Sequence, residues 1–427
     1  MKRKEFIKNT LLGITLPTFL NGISLKALAG SPFMHSLSNY MSDDKVLVLV
    51  QLAGGNDGLN TVIPLDQFNA YTNARTNIAL PENKILRLNG FDNVALHPAL
   101  TELQQLFNNG HLGIVQAVSY PKPSFSHFRS TDIWMTGSDS DKVLNTGWAG
   151  RFLNEVYPQF PENYPNVIMP DPLAIQVGSV ISSTFQGPAF TMGLAISNPN
   201  NFYNLIEEKE KIISNSRWGE QLNYLEEMSL KTDQYADVIK KAALKVTKQS
   251  DKYPAQGKNG LADQLKIVAR LIAGGLKTKI YMVNTGGFDT HSKQTDATDT
   301  TIGNHANLLK KVSEAIGFFM DDLNYLQVGD KVMGMTFSEF GRRIKSNASG
   351  GTDHGAAAPL FYFGNKVKGG VVGTNPIIPT NVTVNDNVPM QNDFRSVYSS
   401  ILQNWFALQS NDVKNVLQNN FATVPII

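Results

Sequence analysis

Five short polar segments hold most of the side chains that could do chemistry. They are Asp57 within Gly54-Gly55-Asn56-Asp57-Gly58, the run Ser124-Phe125-Ser126-His127-Phe128-Arg129, and Asp289-Thr290-His291 after Gly286-Gly287-Phe288. The last two are Ser338-Glu339-Phe340-Gly341-Arg342-Arg343 and Gly350-Gly351-Thr352-Asp353-His354-Gly355. Carboxylates and imidazoles are ligands for divalent cations, and a serine at a helix start can serve as a nucleophile once its hydroxyl is activated. The chain contains no cysteine. Disulfides, thiolate metal sites and a cysteine nucleophile are therefore excluded, and any metal must be held by Asp, Glu, His or backbone oxygen.

Each candidate also has a plainer reading. Asp57 sits among Asn and Gly and suits a turn. Ser124 and Ser126 suit helix N-caps for a helix beginning near His127, a role compatible with an anion-binding helix terminus. Glu339 can pair with Arg342 or Arg343. Asp289 and His291 flank one residue, so on an extended loop both can face one point. The segment Asp353-His354-Gly355 is too polar to be explained as core packing. His35, His97 and His111 lack such company and read as structural or surface residues, and His305 reads as an early helix residue.

The elements that would position these segments alternate strand and helix. Lys45 to Leu52 is a nearly continuous β-branched and leucine run, which implies a strand covered on both faces, as in a parallel sheet. Similar runs recur at Leu112 to Val118, Thr278 to Val283, Lys331 to Phe337 and Pro359 to Phe363. Between them, Leu265, Val268, Ile272 and Leu276, and then Leu308, Val312, Ile316, Phe319 and Leu323, follow helical spacing. This alternation predicts a doubly wound, mainly parallel α/β sheet, whose ligands bind beyond the carboxyl ends of the strands. Prolines from Pro158 to Pro172 and a charge-rich helical run from Glu207 to Lys248 predict an insertion or cap at about residues 155 to 258, with 30 to 427 otherwise one domain.

Charge and composition narrow the partners. The 427 residues include 38 basic and 36 acidic side chains, with 42% hydrophobic residues, enough for a large core and too balanced for a nucleic-acid surface. Residues 1 to 29 have a basic start at Lys2-Arg3-Lys4, an apolar stretch from Leu11 to Leu20, and Ala27-Leu28-Ala29 at the end. That is the pattern of an export signal, and it predicts a periplasmic or secreted protein with no stable membrane span once the signal is removed. Arg3-Lys4-Glu5-Phe6-Ile7-Lys8 resembles a twin-arginine signal with lysine in place of the second arginine. Cleavage after Ala29 would leave 33 basic against 35 acidic residues, so the positive charge belongs to the signal.

The ordered segments VLVLVQLAGGNDGLNTVIP, YPKPSFSHFRSTDIWMTG, TGWAGRFL, GGFDTHSKQ, MTFSEFGRR and GGTDHGAAAPLFYFGNKVKGG together resemble the exported bacterial family known as domain of unknown function 1501. That family is similar in turn to the alkaline phosphatase and sulfatase superfamily. The resemblance implies that superfamily's α/β fold with a helical insertion, and a site of one or two divalent ions (Zn, Mn, Mg or Ca). It implies Asp57 as a first ligand, Ser126 or Ser124 near the nucleophile position, Asp289 with His291 as a later ligand pair, Glu339 in the loop of a further ligand, and His354 as the last histidine. Phe340 stands where that pattern has a metal-binding imidazole, which implies that one metal site is weakened, altered or absent. Neither Ser124 nor Ser126 lies in the Ser-x-Pro-x-Arg pattern of aldehyde-forming sulfatases, and cysteine is missing.

The function these expectations describe is metal-dependent hydrolysis of a phosphate, sulfate or related ester, on a small-molecule or glycan substrate. Ser126 would attack, and Arg342 or Arg129 would neutralise charge on the ester oxygens. His127 is a weaker third histidine candidate beside His291 and His354. The competing expectation is a non-catalytic exported module that keeps the fold with a degenerate metal site and binds a glycan, an envelope component or a protein.

Overall fold

The strand that opens the fold, β1 (Val46–Leu52), buries every side chain but Gln51, which is partly exposed. A run so apolar needs cover on both faces and strands on both edges. It pairs in parallel with β8 (Ile280–Thr285) on one side and β9 (Val332–Phe337) on the other. The computed structural model describes residues 44–196 and 234–427, preceded by the short backbone pairing of Phe19–Leu20 with Ile23–Ser24. Apart from that pairing, the expected export signal lies outside the described residues, as does His35. From Asp44 onward the chain forms one compact unit.

In chain order, β1 is followed by β2 (Val62–Pro64), α1 (Phe68–Ala74), β3 (Leu86–Leu88), β4 (Phe91–Leu96), α2 (Thr101–Asn108) and β5 (Leu112–Ser119). Then come α3 (His127–Thr136), α4 (Trp148–Val156), β6 (Ala174–Val177), β7 (Leu194–Ile196), α5 (Gly260–Ala273), β8, α6 (Asn304–Tyr325) and β9. The chain closes with β10 (Ala358–Gly364), β11 (Gly370–Val372), β12 (Asn392–Asp393), α7 (Phe394–Ser400), a π-helical turn at Ile401–Trp405, and α8 (Ser410–Leu417). Among the described residues, nine strands form a mixed, mostly parallel sheet in the order β11-β5-β10-β9-β1-β8-β6-β7, with β12 also on β5. A separate antiparallel sheet joins β2, β4 and β3.

Two features add detail to the expected architecture. The stretch from 155 to 258, expected as an insertion or cap, contains β6 and β7, which extend the central sheet in parallel beyond β8. Its described helical part runs from 234 to 245. The sheet is mainly parallel, as expected, with β10 antiparallel to both β9 and β5.

That reversal places the functional loops. Strands β5, β9, β1 and β8 share one direction, so their carboxyl ends lie along one sheet edge. Since β10 runs the other way, its amino end lies at that same edge, with Ala358 opposite Val118. The segments after β1, β5, β8 and β9, and the segment before β10, therefore meet there. Helices α5 and α6 pack on the sheet through Leu265, Val268, Ile272, Val312, Ile316, Phe319 and Leu323, as their spacing predicts. Leu276 is buried too, but lies past Gly274 and Gly275, where α5 has ended.

Candidate metal centre

The loop after β8 brings Asp289 and His291 to the sheet edge, the segment before β10 brings His354, and the first residue of α3 brings His127. Helix α3 starts there because the Ser126 hydroxyl accepts a hydrogen bond from Arg129 N. It is tied to the β9 loop by Trp134 Nε1, which donates to the Glu339 carbonyl at 3.1 Å. At Gly54 the chain approaches the β8 loop so closely that a Cβ would stand 2.4 Å from Asp289 N, and its φ of +125° also favours glycine.

Three imidazole Nε2 atoms converge on one carboxylate. Asp289 Oδ1 lies 3.1 Å from His291 Nε2 and 3.2 Å from His354 Nε2, and Oδ2 lies 3.5 Å from His127 Nε2. The His291 and His354 Nε2 atoms are 2.9 Å apart. The ligand atoms of His127, Asp289 and His354 all fall within 4.8 Å of one another. A tetrahedral ion with bonds of about 2.0 to 2.1 Å spaces its ligand atoms roughly 3.3 Å apart, so the tighter contacts match a metal's coordination edge.

The outward nitrogens decide what the inner ones can do. His354 Nδ1 faces the Phe125 carbonyl at 2.8 Å, His127 Nδ1 faces Glu339 Oε1 at 2.7 Å, and His291 Nδ1 faces Asp353 Oδ1 at 3.1 Å. All three partners are acceptors, so in the neutral rings the proton sits on Nδ1 and the Nε2 lone pair points inward. Three lone pairs and a carboxylate then face each other, an arrangement that a cation, either a metal ion or added protons, would relieve. An outer carboxylate or carbonyl on each histidine is also the usual support of a metal-binding imidazole. Two rings are further held by Phe340, whose centroid lies 4.9 Å from that of His127 and 4.5 Å from that of His354.

Asp289 is held ionised. Its partial burial would raise its pKa, but the hydrogen bond and charge of the Arg342 guanidinium, with His354 and His291 close by, outweigh this and bring it down to about 2. Arg342 Nη2 donates to Asp289 Oδ1 at 2.6 Å.

The remaining predicted residues have other partners. Asp57 is fully buried, with Oδ2 accepting from Arg75 Nη1 and Gln294 Nε2, both at 2.6 Å. A guanidinium thus stands where the expectation put a metal. Glu339 is also buried, and its Oε1 accepts from His127 Nδ1 and Gly54 N. It orients His127 and does not belong to the His127, Asp289 and His354 group itself. Arg342 is buried and donates to the carbonyls of Gly54, Gly55, Phe288 and Thr352, so it fixes the loops and Asp289 and cannot reach a substrate. Arg129 pairs with Asp132 and donates to the carbonyls of Asp139, Ser140 and Lys142, closing the turn after α3. Ser124 Oγ accepts from Ser126 N at 3.3 Å. Both serines hold local hydrogen bonds within this turn, and Ser126 is exposed. Replacing Ser126 by alanine is accordingly expected to cost about 1 kcal/mol of stability while leaving metal affinity within about threefold, measured by thermal unfolding and zinc titration.

The family model described as "Protein of unknown function (DUF1501)" matches residues 120–418. The chain belongs to this family. No curated protein matches this DUF1501 chain. Among solved structures it is similar to an alkaline phosphatase from the Antarctic bacterium TAB5, at 13% identity and a TM-score of 0.31, over 77% of this chain and 94% of that one. It is also similar to a protein of the alkaline phosphatase superfamily from Vibrio parahaemolyticus, at 11% identity and a TM-score of 0.33, over 79% and 64% of the two chains. A third is the C-terminal periplasmic domain of EcEptC from Escherichia coli, in complex with Zn, at 8% identity and a TM-score of 0.35, over 76% and 74%.

Of the residues that form the cluster, Asp353 was legible only as a member of its segment, and His127 only as the weaker third histidine candidate. His127 was masked by its position at a helix start. Arg75 and Gln294 carried no local signal, because each meets its partner only in the folded chain.

Proposed function

We propose that the chain is an exported metal-dependent hydrolase that cleaves phosphate, sulfate or related esters. The observation that carries this reading is the convergence of the His127, His291 and His354 Nε2 lone pairs on Asp289, with every outer nitrogen facing an acceptor. Imidazole-rich sets suit zinc and neighbouring transition metals over magnesium or calcium, which favour oxygen ligands. His127, Asp289 and His354 would hold the ion, with His291 beside Asp289 and His354, and a bound ion supplies Lewis acidity toward an ester oxygen and toward water.

The chain's own residues supply the rest. Glu339 and Asp353 fix the planes of His127 and His291, and Arg342 keeps Asp289 charged and aimed. Phe340 gives the histidines an apolar wall. Asp289 remains 46% exposed and His291 44%, so the cluster opens to solvent on its other side and a substrate can approach. Helix α3 begins at His127, and a helix N-terminus favours an anionic group, which supports phosphate and sulfate esters over neutral ones. Ser126 Oγ accepts from Arg129 N as the cap of α3, which favours water as the attacking group over the serine. The apolar pattern of residues 11 to 20 and the alanines near 29 support export. No helix among the described residues is long and apolar enough to cross a membrane.

The test combines metal analysis of the purified chain with assays on p-nitrophenyl phosphate and p-nitrophenyl sulfate, with added zinc or manganese. About one equivalent of metal and chelator-sensitive hydrolysis are expected. Absence of both would refute the reading, and stoichiometric metal without turnover on any ester would favour the non-catalytic module.

A further inference from the structure

We infer that Gln294 is a positioning residue that sets the separation of the two loops carrying Asp289, His291 and His354. This inference rests on the metal reading above. Gln294 is fully buried and bonds in three directions. Its Oε1 accepts from Thr290 Oγ1 at 3.0 Å and from Thr352 Oγ1 at 2.9 Å, while its Nε2 donates to Asp57 Oδ2 at 2.6 Å. Thr290 stands between Asp289 and His291, and Thr352 stands two residues before His354. One carbonyl oxygen therefore holds a hydroxyl from each ligand-bearing loop.

The orientation of the amide follows from its partners. The ionised Asp57 carboxylate can only accept, so it takes the NH2 group, and the carbonyl is left for the two hydroxyls. Glutamate would set a second carboxylate against Asp57, and an apolar side chain would take the acceptor from both buried hydroxyls and leave Asp57 Oδ2 with Arg75 alone. Asp57 is itself anchored by Arg75, which also donates to the carbonyls of Arg343 and Ile344 at 2.8 and 2.9 Å. The chain from Arg75 through Asp57 to Gln294 thus ties the β1 loop and the segment after β9 to both ligand loops.

The two loops also touch through their backbones. Thr352 N donates to Thr290 O at 3.2 Å, and a Cβ on Gly351 would stand 2.4 Å from Thr290 O. The 2.9 Å approach of the His291 and His354 Nε2 atoms depends on this register. A shift of a fraction of an ångström between the loops would separate ligands that must share one ion.

The test uses Thr290→Val and Thr352→Val, alone and combined. Each is nearly isosteric and removes one hydroxyl, and neither residue is among the proposed ligands. Zinc affinity is measured by chelator competition on the full chain, alongside unfolding midpoints. The double variant is expected to lose about 10- to 100-fold in zinc affinity while remaining folded, as for other outer partners of metal ligands. Thr290→Ser with Thr352→Ser is expected to return affinity to within about threefold of wild type. A purely structural role would lower the unfolding midpoint and leave the zinc affinity of the folded protein unchanged, which overturns the inference. If the double variant does not fold, single Thr352→Val is judged by the same measurement. A wild-type chain that binds no zinc would remove the metal reading and this inference with it, whereas wild-type binding with unchanged variants would remove this inference alone.

Discussion

Replacing His354 by alanine is expected to lower zinc affinity by more than about 100-fold and to abolish ester turnover, with the metal-free fold intact. Losing a ligand should exceed the 10- to 100-fold typical of an outer partner. The ring of His354 meets Asp289, His291 and the Phe125 carbonyl, and lies in the half-open rim of the site, with its side chain 22% exposed. Its removal opens no cavity in the core, so the large cost seen for buried truncations does not apply. Glu339→Gln makes the comparison sharper, since it retains the side-chain shape and touches the site only through His127 and Gly54. It should reduce affinity by about 10- to 100-fold. Metal content by mass spectrometry, zinc competition and hydrolysis of p-nitrophenyl phosphate measure both variants. Full zinc binding by His354→Ala would show that the histidine cluster is not the metal site.

Replacing Asp57 by asparagine is expected to cost about 3 to 5 kcal/mol of stability, the usual penalty for leaving one member of a buried ion pair alone. Asp57 and Arg75 are both fully buried, 2.6 Å apart. Burial opposes ionisation of Asp57, yet the charge and hydrogen bond of Arg75, with help from His305 and Gln294, hold its pKa below the ordinary value. The pair's contribution is therefore present above the unfolded carboxyl pKa of about 3.9 and is lost as pH falls through the lower folded value.

Two buried histidines beside this network act at higher pH. Burial first, and then the charges of Arg75 and Arg342 against that of Asp57, bring His305 down to about 4, while burial and His305 bring His97 down to about 3. The unfolded chain takes up these protons near pH 6.5 and the folded chain resists them. Stability must fall as pH drops from about 6.5 toward 4. The difference for His305 corresponds to about 3 kcal/mol. Denaturant unfolding of wild type between pH 7 and 4, beside Asp57→Asn at pH 7, measures both effects. An unfolding free energy flat across that range would contradict the neutral burial of the histidines.

These effects separate two kinds of polar residue that look alike in sequence. Asp57 in GGNDGLN and Asp289 in GGFDTHS both follow an apolar strand and a glycine pair. Local chemistry makes each a fair ligand candidate. The difference is that Asp57 meets Arg75, eighteen residues on, in a closed interior, whereas Asp289 stays 46% exposed among three imidazoles. Arg342 shows the converse. Its charge suggested substrate contact, but the close packing of four loops surrounds it with carbonyl oxygens.

The sequence by itself determined the five central strands β1, β5, β8, β9 and β10, their apolar character and the set of loops at which chemistry could occur, because burial periodicity and turn composition are local properties. It also identified His291, His354 and Asp289, whose neighbours leave few other uses for them. Only the tertiary structure decided which of the candidates share a site. The reversed direction of β10 brings His354 to the same edge as His127 and Asp289, and long-range hydrogen bonds select which nitrogen of each histidine faces inward. Those choices depend on partners up to 229 residues apart, as for His354 and Phe125, and no local pattern records them.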